Sequence, residues 1–112
     1  MTVAQLVEEL GLEVLTGNTS MDREVKSGYT SDLLSDAIAG ITDDAVWITI
    51  QRHINVLGVA KLKNIAAIIT PRNLKVETEV VERAKTEGIA LLRTGHTAFE
   101  ISGQLYGLLR QG

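Results

Sequence analysis

Six residues have the types and placement to bind a ligand: Ser31, Asp32, Ser35, Thr49, Gln51 and Asn55. They supply hydroxyls, amides and one carboxylate, which suit hydrogen bonding to a small polar or phosphorylated molecule. Thr70, Arg72, Thr94 and His96 stand at comparable positions further along. His53 and His96 are the two side chains whose ordinary pKa lies near neutrality, so proton transfer would require one of them to meet Asp32. No His-x-x-x-His or His-x-x-Glu spacing occurs and the chain has no cysteine, so no metal site and no other cofactor is expected. Gly17-Asn18-Thr19-Ser20 lacks the Gly-Lys-Ser/Thr core of a phosphate loop, and neither Gly-x-Gly-x-x-Gly nor Gly-x-Ser-x-Gly is present. No catalytic set emerges, and the chain is expected not to be an enzyme.

The elements that must position these residues follow from pattern. Thr2-Val3-Ala4-Gln5 is a capping box opening a helix to about Leu10, with Gly11 as its stop. Leu12–Leu15 and Glu24–Thr30 read as strands, the second with Val25 and Tyr29 inward. Ser31-Asp32 offers an N-cap for a helix to Ala39 that Gly40 closes; with Asp32 as the cap, Ser35 lies at the third helical position. Ala45–Ile50 is a third strand, Asn55 to Lys63 a helix, and Ile65–Ile69 an apolar strand ended by Thr70-Pro71. Glu77–Glu87 is a helix, Ile89–Leu92 the last strand, and Thr97-Ala98-Phe99-Glu100 a second capping box before a helix to Leu109. Strands apolar on both faces, alternating with helices, predict an α/β three-layer sandwich whose mainly parallel sheet has four or five strands. The short link between the first two strands has no room for a crossover helix, so these two need not be parallel. The loops after the strands would gather the candidate residues on one rim. Strand ends are polar in any case, so solvation and helix capping compete with ligand binding as the reason for these residues.

At 112 residues the chain fits one domain, with enough length for a core without staples. Its 45% apolar and 4% aromatic content assigns that core to aliphatic side chains. A net charge of −3 provides no basic face for nucleic acid. The longest apolar stretches, such as 66–69, fall far short of the roughly 20 residues that span a bilayer, and no signal peptide is visible. No membrane partner is expected, and a cytoplasmic location fits.

The last helix carries more apolar surface than one docking face uses. Ala98, Ile101, Leu105, Leu108 and Leu109 form one stripe, and Phe99 and Tyr106 widen it. Gly103 and Gly107, four apart, each cost about 1 kcal/mol relative to Ala in a helix interior. Small residues at this spacing allow close approach of a backbone, either the domain's own sheet or a second subunit. A homodimer is the expected assembly.

Several segments stand out together: Met21-Asp22-Arg23-Glu24-Val25, Gly28-Tyr29-x-Ser31-Asp32-Leu33-Leu34-Ser35 and Trp47-Ile48-Thr49-Ile50-Gln51. Asn55-Val56, Gly88-Ile89-x-Leu91-Leu92 and Phe99-Glu100 with Leu105-Tyr106 extend the pattern over nearly the whole chain. In these segments the chain resembles the DRTGG domain family. The literal naming string is absent, since Asp22-Arg23 is followed by Glu-Val-Lys-Ser-Gly. The resemblance implies a three-layer fold similar to the N-terminal domain of HPr kinase and to the DRTGG domains of phosphotransacetylases and CBS-domain pyrophosphatases. It implies an accessory regulatory module, stand-alone and dimeric, and carries over no catalytic residues. On this reading the chain binds a small molecule; the alternative is a protein-interaction module docking onto a metabolic or redox enzyme or a sensor kinase. Asp22 and Arg23 are expected to pair and pin the loop before the second strand, and Gly28 to permit close backbone packing.

Overall fold

The computed structural model describes residues 1–111. Both capping boxes form: Thr2 opens α1 (Val3–Leu10) and Thr97 opens α5 (Ala98–Leu109), each hydroxyl accepting from the amide three residues on. Gly11 and Gly88 take the left-handed conformation that ends α1 and α4 (Thr78–Glu87). The remaining helices are α2 (Leu34–Gly40) and α3 (Asn55–Leu62). The strands are β1 (Glu13–Val14), β2 (Ser27–Thr30), β3 (Ala45–Ile48), β4 (Ala67–Thr70) and β5 (Ala90–Arg93).

These strands form one sheet in the order β1-β5-β4-β3-β2, parallel except for β1, which pairs antiparallel with β5. The reserve about the first two strands therefore holds for β1 and not for β2. β1 is shorter than its apolar run because Leu15 and Thr16 continue to grip β5 outside the ladder: Leu15 N–H donates to the Leu91 carbonyl, and Thr16 Oγ1 accepts from Leu91 N–H.

From β2 to β5 the chain steps across the sheet in one direction. Crossovers of a single hand then place α2, α3 and α4 on the same face. There Ala37, Leu57, Ala60, Val80 and Ala84 pack on Trp47, Ile68 and Leu91. On the opposite face Val3 and Leu6 of α1 and Ile101 and Leu105 of α5 pack on Val46, Ile48, Ala67, Ile69, Ala90 and Leu92. Alternate residues of each central strand serve opposite layers, which is why these strands read as apolar throughout.

Three local expectations change. α2 starts from Leu33, whose side chain makes no cap, so Asp32 is not the N-cap and Ser35 is the second helical residue. Gly40 is the last residue of α2 rather than its stop, and its Cα faces the Tyr29 ring, leaving no room for a Cβ. Arg23 does not pair with Asp22. Its guanidinium donates to Asp44 Oδ1 and to both the backbone carbonyl and Oδ1 of Asn64. Asp44 and Asn64 have positive φ at the turns before β3 and β4, so Arg23 clamps two strand entries at once.

Candidate functional site

Part of the expected rim is held together by its own hydrogen bonds. Asp32 Oδ1 accepts from Ile50 N–H at 2.9 Å and from the Thr49 hydroxyl at 3.2 Å. Thr49, only 1% exposed, in turn accepts from Gln51 N–H. The Gln51 amide donates to the Asp32 carbonyl at 2.8 Å. Ser31 closes its own turn with Leu33 N–H, and its carbonyl accepts from the buried Trp47 indole at 2.9 Å. Asp32, Thr49 and Gln51 thus come together by bonding one another across the β2–α2 and β3–α3 loops, while Ser31 is tied instead to Leu33 and Trp47.

Ser35 lies exposed on α2. Asn55 is separate from the rim, lining a cleft of about 330 Å³ between α3 and α4 with Lys61, Arg83 and Glu87. The histidines do not converge on Asp32. His53 Nδ1 accepts from Asn55 N–H, whereas His96 turns along α5 toward Glu100 (3.6 Å) and Gln104 (3.4 Å). The Glu100 carboxyl is held below the ordinary glutamate range by the Thr97 amide and hydroxyl it caps, and secondarily by His96. No cluster of three or more metal-ligating side chains occurs among the described residues.

The loops after β4 and β5 leave toward opposite faces of the sheet, the arrangement that opens a binding crevice in doubly wound folds. Here it is zipped shut. Arg72 and Asn73 N–H donate to the His96 and Thr94 carbonyls, both at 2.8 Å, and the Asn73 amide fills the space against Gly95.

A broad concavity lies between the edge strand β2 and α5. It encloses about 780 Å³, and none of the six expected residues lines it. Gly28, Tyr29 and Thr30 form one wall, Ile48 and Leu105 the floor, and Phe99, Gly103 and Tyr106 the other wall. At Gly28 a Cβ would stand 2.7 Å from Leu105 Cδ2, so the close neighbour of this glycine is a side chain of α5 and not the backbone expected from the sequence. The Thr30 and Ser102 hydroxyls bridge strand and helix at 2.7 Å. On the other face Tyr29 donates to Asp36 Oδ2, and this hydrogen bond pushes the phenol above its usual pKa.

Leu105 and Ile101 are buried against the sheet, but Phe99 and Tyr106 remain 88% and 64% exposed. Gly103 and Gly107 meet nothing within 4 Å, so they do not serve docking on the chain's own sheet. The aromatics and the paired glycines were the sequence signal for this face. The strand that completes it was not marked by any motif.

No family model matches the chain, and no curated protein matches it. Among solved structures it is similar to the CBS and DRTGG domains of the regulatory region of Clostridium perfringens pyrophosphatase, complexed with the activator diadenosine tetraphosphate. The TM-score is 0.69 at 17% identity, over 90% of this chain and 44% of that one. The chain therefore spans less than half of that solved region, and what the two share is the fold. Among the described residues, five helices on a five-stranded, mostly parallel sheet make a DRTGG-like α/β fold, as the sequence motifs led one to expect.

Proposed function

We propose that this chain is a non-catalytic regulatory module whose binding face is the β2–α5 groove, where it docks a protein surface. The observation that carries this reading is the groove itself: an open apolar trough walled by a bare strand edge and two solvent-exposed aromatics. Contiguous exposed apolar surface of this kind marks interaction sites. The polar rim offers less, because Asp32, Thr49 and Gln51 already satisfy one another. The separation of His53 and His96 from Asp32 supports a role without acid–base chemistry. The regulatory setting of the pyrophosphatase region with this fold supports the module's class.

A second reading, binding of a small polar or phosphorylated ligand, has two supports. The groove volume lies within the roughly 300–1,000 Å³ of small-molecule sites, and the structural neighbour carries a nucleotide activator. A thermal-shift panel of nucleotides (diadenosine tetraphosphate included), phosphorylated metabolites and divalent metals separates the readings. It is run on the wild type, on Phe99→Glu and on a Ser31→Ala, Gln51→Ala double variant. Protein docking predicts no shift with any compound. A shift lost in Phe99→Glu alone would put a small molecule in the groove. A shift lost only in the double variant would put the site on the rim and refute the groove.

A further inference from the structure

The wall that β2 gives the groove is a strand edge, and its backbone groups have a readable pattern. Ser31 N–H donates to the Ile48 carbonyl, next to the paired residues Thr30 and Ile48. Successive residues of a strand turn their amides to alternate sides, so Tyr29 also bonds to β3. The N–H and C=O of Gly28 and Thr30 then point away from the sheet, and both residues are exposed. Two donors and two acceptors repeating every second residue match the backbone of another extended strand. A docked helix could not use them, because its own backbone groups are bonded internally. Ser27-Gly28-Tyr29-Thr30 carries neither Pro nor charge, the usual devices that keep an edge from pairing.

The charges along the groove give the strand an order. Gly28 meets Leu105 and Thr30 meets Ser102, so α5 runs antiparallel to β2. Glu100, the one charged residue lining the groove, therefore lies toward the Thr30 end. Its carboxyl is half exposed, 3.6 Å from His96. At the Ser27 end stand Arg110, exposed over the Tyr106 ring at 5.5 Å, and Lys26, whose side chain is 67% exposed. Arg23 neutralises Asp44, and Glu9 lines the small cleft beside Lys26, which leaves a surplus of one positive charge at this end. Glu100 and Arg110 are separated by about 15 Å of helix at 1.5 Å per residue. An extended strand covers that distance in about four to five residues.

We propose that the groove takes an extended segment of a partner protein as a sixth strand, antiparallel to β2, with the order basic-x-aromatic-x-acidic. This rests on the groove being the binding face, and it names the occupant. Antiparallel pairing is the more stable of the two directions. It sets the basic residue opposite Thr30, the aromatic opposite Gly28 and the acidic residue opposite Lys26, all on the α5 side of the sheet. The cation meets Glu100 and the carboxylate meets Lys26 and Arg110. The aromatic ring covers Gly28, which has no side chain of its own, and fills the open space beside Gly103. An aromatic residue across from an edge glycine is a known stabilising pair in sheets. The two intervening side chains fall on the other face, where Tyr29, Leu33 and Ile38 present partly or fully exposed apolar surface; β-branched residues suit them.

The probe is a fluorescein-labelled strand peptide, acetyl-Thr-Lys-Val-Phe-Val-Glu-Thr-amide, followed by anisotropy. It should bind saturably with a Kd below about 1 mM. N-methylation of its Lys and Phe amides, which face β2, should abolish binding, whereas N-methylation of the two Val amides, which face away, should not. Phe99→Glu should weaken binding about tenfold with an unchanged far-UV circular dichroism spectrum, since Phe99 is 88% exposed. Replacing the peptide's Lys by Gln should cost about threefold, the scale of one exposed ion pair. That preference should vanish in Glu100→Gln, which keeps the capping box. No binding up to about 1 mM, or binding indifferent to which amides are methylated, would overturn the proposal. Indifferent binding that Phe99→Glu still abolishes would leave the groove a docking face without strand addition. No peptide binding, together with a panel compound whose shift only the Ser31→Ala, Gln51→Ala variant loses, would remove the groove reading as well. A chain that sediments at twice its 12.1 kDa mass and excludes the peptide would also overturn the proposal, by giving the edge to a second copy.

Discussion

Removing the Asp32 carboxylate separates a structural clasp from a ligand site. Asp32→Ala deletes the acceptor for Ile50 N–H and for the Thr49 hydroxyl. The first bond resembles a capping interaction at a partly exposed site, worth about 1 kcal/mol. The second leaves a hydroxyl that is 1% exposed without its acceptor, a penalty of about 1 kcal/mol at the low end of the range for buried groups. The total is about 2 kcal/mol. At roughly 2.1 cal/mol/K per residue, 112 residues give an unfolding entropy near 235 cal/mol/K, so the melting midpoint should fall by about 8 °C. Asp32→Asn keeps an acceptor oxygen in place and should stay within about 2 °C of the wild type. Thermal melts followed by circular dichroism read both variants. If Asp32→Ala melts with the wild type, the carboxylate is not holding the two loops together. The case against the rim as a ligand site would then lose its main support.

Two further expectations follow from the same contacts. Trp47→Phe removes the indole donor to Ser31 and part of a fully buried ring. It should cost about 2–4 kcal/mol in urea unfolding, and a cost below about 1 kcal/mol would mean that the β2–α2 loop does not depend on that bond. The second concerns acid. Glu13, Asp44, Glu87 and Glu100 all titrate below their ordinary values, held down first by Arg93, Arg23, Lys61 and the Thr97 backbone respectively. Folded pKa values below the unfolded ones mean that the unfolded chain binds more protons as pH falls. The stabilisation is therefore complete above the ordinary carboxylate values and lost on acidification through the folded ones. The melting midpoint should be level from about pH 8 to 5 and decline below about 4.5; a midpoint rising on acidification would contradict these pairings.

The parts of the fold legible in the sequence are those decided locally. Thr2 with Gln5 and Thr97 with Glu100 fix two helix starts within four residues each, and the apolar runs at 45–50 and 65–69 locate two central strands by composition, although the strands themselves span Ala45–Ile48 and Ala67–Thr70. Ser31-Asp32 has the local chemistry of a cap, whereas the actual partners of Asp32 lie seventeen and eighteen residues away on a neighbouring loop. Gly40 looked like a stop, but the Tyr29 ring that needs its missing side chain comes from the preceding strand. The groove was half visible. Gly103, Gly107, Phe99 and Tyr106 showed that α5 has a second apolar face, but strand order is not written locally. Nothing in Ser27–Thr30 says that it ends the sheet beside a helix more than seventy residues away.

The most direct test of the groove as the working face is amide hydrogen exchange with and without the strand peptide, and with each compound of the ligand panel. The account predicts that protection rises at residues 27–30 and 98–109 as the face is covered, while residues 31–35 and 49–55 exchange unchanged. Added protection confined to 31–35 and 49–55 would place the binding face on the polar rim and contradict it.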